Sequence, residues 1–219
     1  MNALTPREAY RLWAPVYAAE TVISFLDEEL AAAMSPPLAS KRLLDAGCGT
    51  GRRLAHGIAT LSVGIDVSFE MLAAGNAQAV AAADVRALPF AANEFDLIWC
   101  RLVLGHLANL VPAYRELARV CRPGGHLFVT DFHVEAVAAG HKRNFRDADG
   151  VVREVEHYVH DNPAHIAVAA ISGLSIVDQR DAIIGPSAEP FYERAGRSAA
   201  YNGDKGLAVV AAFLFRLAN

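Results

Sequence analysis

Cysteine is scarce in this 219-residue chain: Cys48, Cys100 and Cys121 are isolated and odd in number. They cannot form a disulfide framework or a CxxC metal site, which leaves them as reduced thiols in small-residue positions. Charge is thin as well. Twenty Lys+Arg against twenty-four Asp+Glu give a formal charge of −4, and basic residues form no run. Polyanion binding depends on a concentrated positive surface that displaces counterions, so nucleic acid is not an expected partner. Long apolar runs are missing too. The stretch Ile166 to Val177, bounded by His165 and Asp178, falls short of the ~18 residues that suggest a membrane span. Arg7, Glu8 and Arg11 interrupt the N-terminal stretch where a secretory signal needs an unbroken apolar core. The expectations are no membrane association, a cytoplasmic location, and a monomer or homodimer. With no internal repeat and no low-complexity linker, the length suits one filled domain.

What is present is an alternation of strand and helix patterns. Leu4 to Met34 reads as helical, started by Thr5-Pro6 and stopped by Ser35-Pro36-Pro37. An apolar strand RLLDA follows, then a helix after Thr50, a strand LSVGID, a helix around Phe69 to Asn76, and a short apolar segment before Asp84. The strand FDLIWC, a helix from Val111 to Cys121 and the strand HLFVTDF after Pro123-Gly124-Gly125 continue the rhythm. Beyond Phe132 it changes: Asp149-Gly150 sits between alternating segments as in a hairpin, a helix spans Asn162 to Ser172, and LSIVDQRD and Gly206 to Leu217 read as strands. This order predicts an α/β protein with a Rossmann-like doubly wound sheet, mostly parallel with an antiparallel C-terminal strand. It divides into a helical lid (1–37), a ligand-binding core (38–135), and a flap with C-terminal strands (136–219).

Ligands of open α/β sheets bind outside the carboxyl ends of the strands, so the loop in LLDAGCGTGRR is the place to look. Gly47, Gly49 and Gly51 permit a tight turn and close approach of a ligand to the backbone. A GxxxxGK[ST] phosphate loop needs a lysine, which is absent, and a G-x-G-x-x-G dinucleotide loop needs glycine where Arg52 stands. Asp45 before the loop would repel a pyrophosphate and suits a cationic ligand end.

The LLDAGCGTG segment resembles the cofactor loop of the class I S-adenosylmethionine-dependent methyltransferases, in the small-molecule branch that includes ubiquinone/menaquinone and malonyl-carrier-protein methyltransferases. The resemblance is strongest from Arg42 to His133. In VGIDVSFEML it implies that Asp66 takes the ribose hydroxyls, with Val67 and Met71 flanking the adenine. In ADVRALPF it implies that Asp84 and the Val85 amide read the adenine edge, beside Arg86. Tyr17, Asp45, Gly47, Cys48, Gly49, Gly51 and Cys100 complete the implied cofactor set. RVCRPGGHLFV resembles a structural turn of the family.

The acceptor is less legible. Methyl transfer from a sulfonium is an in-line displacement that asks mainly for orientation and exclusion of water. The chain has Cys100-Arg101-Leu102-Val103 where methylases of exocyclic amines carry Asn/Asp-Pro-Pro-Tyr/Phe, and no cysteine lies in the Pro-Cys setting of a cytosine C5 methylase. RLVLGHLANL resembles the family's LxLHHV stretch, with Gly105 in place of the first histidine and His106 in place of the second. His106 and His133 are the candidate catalytic residues; Tyr10, His157, Tyr158 and His160 are the candidate substrate contacts. His157 and His160 read as lying in a strand, where odd spacing sends them to opposite faces, so no metal site is expected with His165. AYRLWAPVY resembles the family's lid, with Tyr10, Trp13 and Tyr17 over the cofactor or packed on the core. Arg143, Arg146 and Arg153 would meet an acidic substrate or solvent. The expected reaction is methyl transfer from S-adenosylmethionine to a small-molecule oxygen, carboxylate or hydroxyl. A carbon or nitrogen acceptor, a nicotinamide oxidoreductase and a non-catalytic cofactor binder are the alternatives.

Overall fold

A computed structural model describes residues 3–17, 20–39, 41–54 and 59–219. Alternating apolar residues build its centre. In β4 (Phe95–Arg101), Leu97 and Trp99 face one layer of helices while Ile98 and Cys100 face the other. In β9 (Ala208–Leu217), Ala212 and Leu214 are set against Phe213 and Phe215 in the same way. This period-2 pattern, apolar on both faces, is that of strands covered on both sides.

The other strands of the sheet are β1 (Arg42–Ala46), β2 (Leu61–Asp66), β3 (Val80–Ala82), β5 (Cys121–Phe132) and β8 (Leu174–Ile183). Their order is β3-β2-β1-β4-β5-β9-β8, with β9 antiparallel to both neighbours and the pairings from β3 to β5 parallel. The predicted sheet is therefore present, and its order reverses between β1 and β4, where a doubly wound sheet opens a crevice. At the RPGG turn the register slips: Phe95 pairs with Cys121 and Leu97 with His126, with Gly124 in the left-handed region at φ 73°.

One face is covered by α4 (Val111–Val120) and α6 (Asn162–Ile171), which bring Tyr114, Leu117 and Ala169 to the core. The opposite face receives Leu26, Leu30 and Met34 of α2 (Val22–Met34). The single N-terminal helix expected from Leu4 to Met34 is two helices. Pro15 lies in a 3-10 turn after α1 (Pro6–Trp13), where it removes a backbone donor, and Thr21 restarts the chain with a capping box to Ser24. Shorter helices are α3 (Phe69–Ala73), α5 (Val134–Ala138), α7 (Glu189–Arg194) and α8 (Ser198–Asp204). The helix expected after Thr50 falls largely on residues 55–58, which lie outside the described residues.

The predicted hairpin forms from β6 (Asn144–Arg146) and β7 (Val152–Glu154). Asp147 organises its turn by accepting the Asp149 and Val151 amides, and Gly150 takes φ 79°. Leu4 exchanges backbone bonds with Glu154 and Glu156, and Ala9 packs with Phe145 and Val155. Lid and flap are thereby joined into one cover.

Candidate active site

The glycine loop after β1 is held from two sides. The Gly47 and Cys48 amides both donate to the Ile65 carbonyl, at 2.7 and 2.9 Å. The Gly49 amide donates to Asp66 Oδ2 at 2.9 Å, while Asp66 Oδ1 accepts from the Ser68 amide at 2.8 Å. Gly47 sits at φ 86°, and a Cβ there would lie 2.1 Å from Val103 Cγ2. Only glycine fits that position. Burial raises the Asp66 carboxyl above its ordinary range, and the Ser68, Gly49 and Val67 amides oppose the shift.

The loop borders a cavity of about 290 Å³. Its lining joins Gly47 to Thr50, Asp66, Val67, Met71 and the segment Ala83 to Arg86 with Tyr10, Tyr17, Val103, His106 and Arg143. Burial pushes the Tyr17 hydroxyl up to about 12, so it stays protonated. Asp84 is clasped by Arg86 through Nε and Nη2, at 2.6 to 3.1 Å, and this bond holds its carboxyl below the usual range.

Behind the loop lies a cluster of ions that motif reading missed. Asp27 of α2 accepts from Arg101 Nη2 at 2.8 Å, Arg53 Nη2 at 3.0 Å and Thr130 Oγ1 at 2.6 Å, all out of contact with water at the carboxylate. Burial opposes ionisation of Asp27, and Arg101 and Arg53 overcome it, so its carboxyl lies below the ordinary value. Asp45 faces the same two guanidiniums from β1; burial raises its carboxyl, and neither oxygen has a hydrogen-bond partner among the described residues. Two signals were available: an aspartate within the apolar helix VISFLDEELAAAM, and paired arginines directly after the third glycine.

At the same cavity, Arg143 Nη2 donates to Tyr10 Oη at 3.1 Å. The Tyr10 proton then goes to His106 Nε2 at 3.0 Å, which leaves Nδ1–H to donate to the Glu156 carbonyl at 3.3 Å. The network thus assigns a neutral His106. Burial and the nearby Arg143 charge hold its pKa well below the ordinary value.

This architecture, with a glycine loop after the first strand and a carboxylate at the end of the second, agrees with the comparisons. Residues 44–129 match the family model described as a methyltransferase domain. The malonyl-[acyl-carrier protein] O-methyltransferase of Enterobacter lignolyticus is 31% identical over 167 residues, 74% of this chain and 64% of that protein. Residues 44–129 form a methyltransferase domain. The 27-O-demethylrifamycin SV methyltransferase of Amycolatopsis mediterranei is 34% identical over 122 residues, 50% of this chain and 45% of that one. The matches therefore span from under half to just under two thirds of these relatives' lengths. An S-adenosylmethionine-dependent methyltransferase structure from Mesorhizobium loti superposes with a TM-score of 0.65 at 21% identity, over 87% of this chain and 97% of that one. That likeness is one of fold.

Ten of the thirteen expected cofactor residues border the cavity: Tyr17, Gly47, Cys48, Gly49, Asp66, Val67, Met71, Asp84, Val85 and Arg86. Gly51 lies just behind, at φ 70°, where a Cβ would meet Ala77 at 2.6 Å. Two assignments need correction. Asp45 does not reach the cavity, because it turns beneath the loop toward Arg53 and Arg101. Cys100 is fully buried in the core, where its alternate position on β4 points it away from the crevice.

Of the two expected catalytic histidines, His106 lines the cavity and His133 does not. His133 caps α5 by accepting the Glu135 amide and faces Asp181 at 3.8 Å, on the side of β9 and β8. Among the substrate candidates Tyr10 is at the cavity, while His157, Tyr158 and His160 are not. Residues 156–160 form no strand. Tyr158 donates its hydroxyl to Glu156, and His160 Nε2 lies 2.8 Å from the Leu107 carbonyl. His157 is wedged beside Asp131, at 3.9 Å, in the space that a side chain at residue 105 would take: a Cβ on Gly105 would lie 2.2 Å from its Nε2. The glycine that departs from the family's LxLHHV stretch thus makes room for an imidazole supplied by the flap.

Proposed function

We propose that the chain transfers a methyl group from S-adenosylmethionine to an oxygen of a small molecule. The observation that carries this reading is the single cavity that joins the glycine loop, Asp66 and the Asp84 segment with a neutral Tyr10–His106 pair. Bound there, S-adenosylmethionine supplies an electrophilic methyl on a sulfonium. The residues suit it: the glycines leave a backbone cradle that Cβ atoms would close, and Asp66 keeps a lone pair on each oxygen for a ribose hydroxyl after accepting its two amides. Val67 and Met71 would flank the adenine. Arg86 holds Asp84, which would leave the Val85 amide and the remaining Asp84 lone pairs for the adenine edge.

Lid and flap exclude water from the methyl, and the helical lid, core and flap act as one unit. For a hydroxyl acceptor, the Tyr10–His106 pair would take the proton, since His106 Nε2 is unprotonated; a carboxylate would need no base. Oxygen is favoured by the two relatives above, whose names place their methyl groups on oxygen. We further infer a cytoplasmic monomer or homodimer; no helix among the described residues is long and apolar enough to cross a membrane. Incubation with S-adenosylmethionine and a panel of carboxylic acids, phenols, amines and thiols, read by mass spectrometry, should give S-adenosylhomocysteine with an O-methylated product. Methylation confined to amines or thiols would refute the oxygen assignment, and binding of NADH in place of S-adenosylhomocysteine would refute the whole reading.

A further inference from the structure

A second cavity, of about 530 Å³, adjoins the first and shares Tyr17, Ser24, Arg52, Leu102 and Arg143 with it. Its size falls among small-molecule sites, about 300–1,000 Å³. Its lining carries the aromatic groups of Trp13, Phe132, Phe191 and Tyr192 beside the carboxylates of Glu20 and Asp204. Two of the shared residues, Arg52 and Arg143, are cationic. Neither Arg52 nor Arg143 has a carboxylate within 4.0 Å among the described residues.

The contrast with their neighbours is informative. Lys142 is paired with Glu154 at 2.8 Å, Arg153 with Asp147 at 2.9 Å, and Arg53 and Arg101 with Asp27. Arg146 is occupied by the Gly150 carbonyl. Arg143 instead spends its donors on neutral oxygens, the Tyr10 hydroxyl and the Leu102 carbonyl at 2.8 Å. Leu102 offers that carbonyl from a left-handed conformation, φ 58°, which strains a bulky residue and persists where the surroundings enforce it. A cation held between two cavities, with the Asp131 charge acting on it only from beyond contact, leaves room for an anion from outside the chain.

We propose that the second cavity receives an acceptor with a carboxylate head and a flat apolar body, and that Arg143, seconded by Arg52, holds the carboxylate at the junction with the donor cavity. This rests on the donor-site reading above. The carboxylate oxygen forms the new bond to the methyl carbon as the bond from sulfur to that carbon breaks and its electron pair stays on sulfur. A monoanion and a sulfonium cation become a neutral ester and a neutral thioether, and no proton moves. The ester no longer matches the guanidinium, which favours its release.

The test begins with S-adenosylhomocysteine titrated into the protein by calorimetry; absence of binding there removes the donor-site reading itself. With that ligand saturating, benzoate, 3-phenylpropionate and octanoate are then titrated beside their primary amides. At least one acid should bind tenfold or more tightly than its amide. Arg143→Met should abolish that preference and weaken the acid far more than S-adenosylhomocysteine, and Arg143→Lys should restore part of it. Equal binding of acids and amides, no binding of any acid, or an Arg143→Met variant that loses S-adenosylhomocysteine as strongly as the acid would overturn the proposal. The last result would assign the guanidinium to the donor's own carboxylate.

Discussion

Replacing Asp27 by alanine removes the acceptor that Arg53, Arg101 and Thr130 share. Two buried guanidiniums are then left with only Asp45, which makes no hydrogen bond to either, and the exposed Glu28, 2.8 Å from Arg101. Breaking a buried ion pair by removing one partner costs about 3–5 kcal/mol. For a domain of about 150–250 residues each kcal/mol lowers Tm by about 2–4 °C, so the loss should be about 6–20 °C. The acid limb should change as well. The folded Asp27 carboxyl lies below its ordinary value of 3.8, so its contribution is present above that value and disappears as pH falls through the folded pKa. The variant should therefore lose less stability than the parent between pH 5 and 2. Thermal and urea unfolding across that range measure both effects. A loss under 1 kcal/mol at pH 7, with an unchanged acid limb, would refute the reasoning and show that Asp45 and Glu28 suffice.

Three further outcomes follow from the same geometry. Gly47→Ala forces a Cβ to within 2.1 Å of Val103 at φ 86°, and should reduce S-adenosylhomocysteine affinity more than tenfold in calorimetry, with partial recovery in Gly47→Ala/Val103→Ala. Gly105→Ala should cost about 1–3 kcal/mol by displacing His157, and the penalty should shrink by more than half in a His157→Ala background, as a double-mutant cycle would show. His106 is held neutral with its folded pKa below the unfolded value, so the stability tied to it is present above about pH 6.5 and is lost as pH falls below that; His106→Gln should flatten the stability profile between pH 7 and 5.

Much of the fold was legible because local chemistry repeats along the chain. Apolar runs marked β1, β2, β4, β5 and β9, and Asp149-Gly150 between alternating segments announced the hairpin. The N-terminal helix was read as one piece because helical periodicity runs through Pro15, and α5, α7 and α8 went unread because they are short and weakly patterned. At the site, Gly47, Gly49, Asp66 and Asp84 border the cavity because they are fixed by their immediate neighbours. Residues whose meaning depends on distant partners were not legible in this way. Asp45 and Cys100 share the strand ends with real cavity residues, yet strand alternation and the guanidiniums beneath the loop turn them away. His133, Tyr158 and His160 carry useful chemistry by type, but backbone capping and neighbouring polar groups engage them off the cavity. The Asp27 cluster and the Gly105–His157 exchange join segments far apart in sequence, which no local pattern records.

The most direct measurement of the central claim is the affinity of S-adenosylhomocysteine for the parent chain and for Asp66→Ala by isothermal calorimetry. The account predicts one site per chain in the parent and a loss of more than tenfold in the variant, about 1.4 kcal/mol or above, with the variant still folded by circular dichroism. Equal affinities would contradict it.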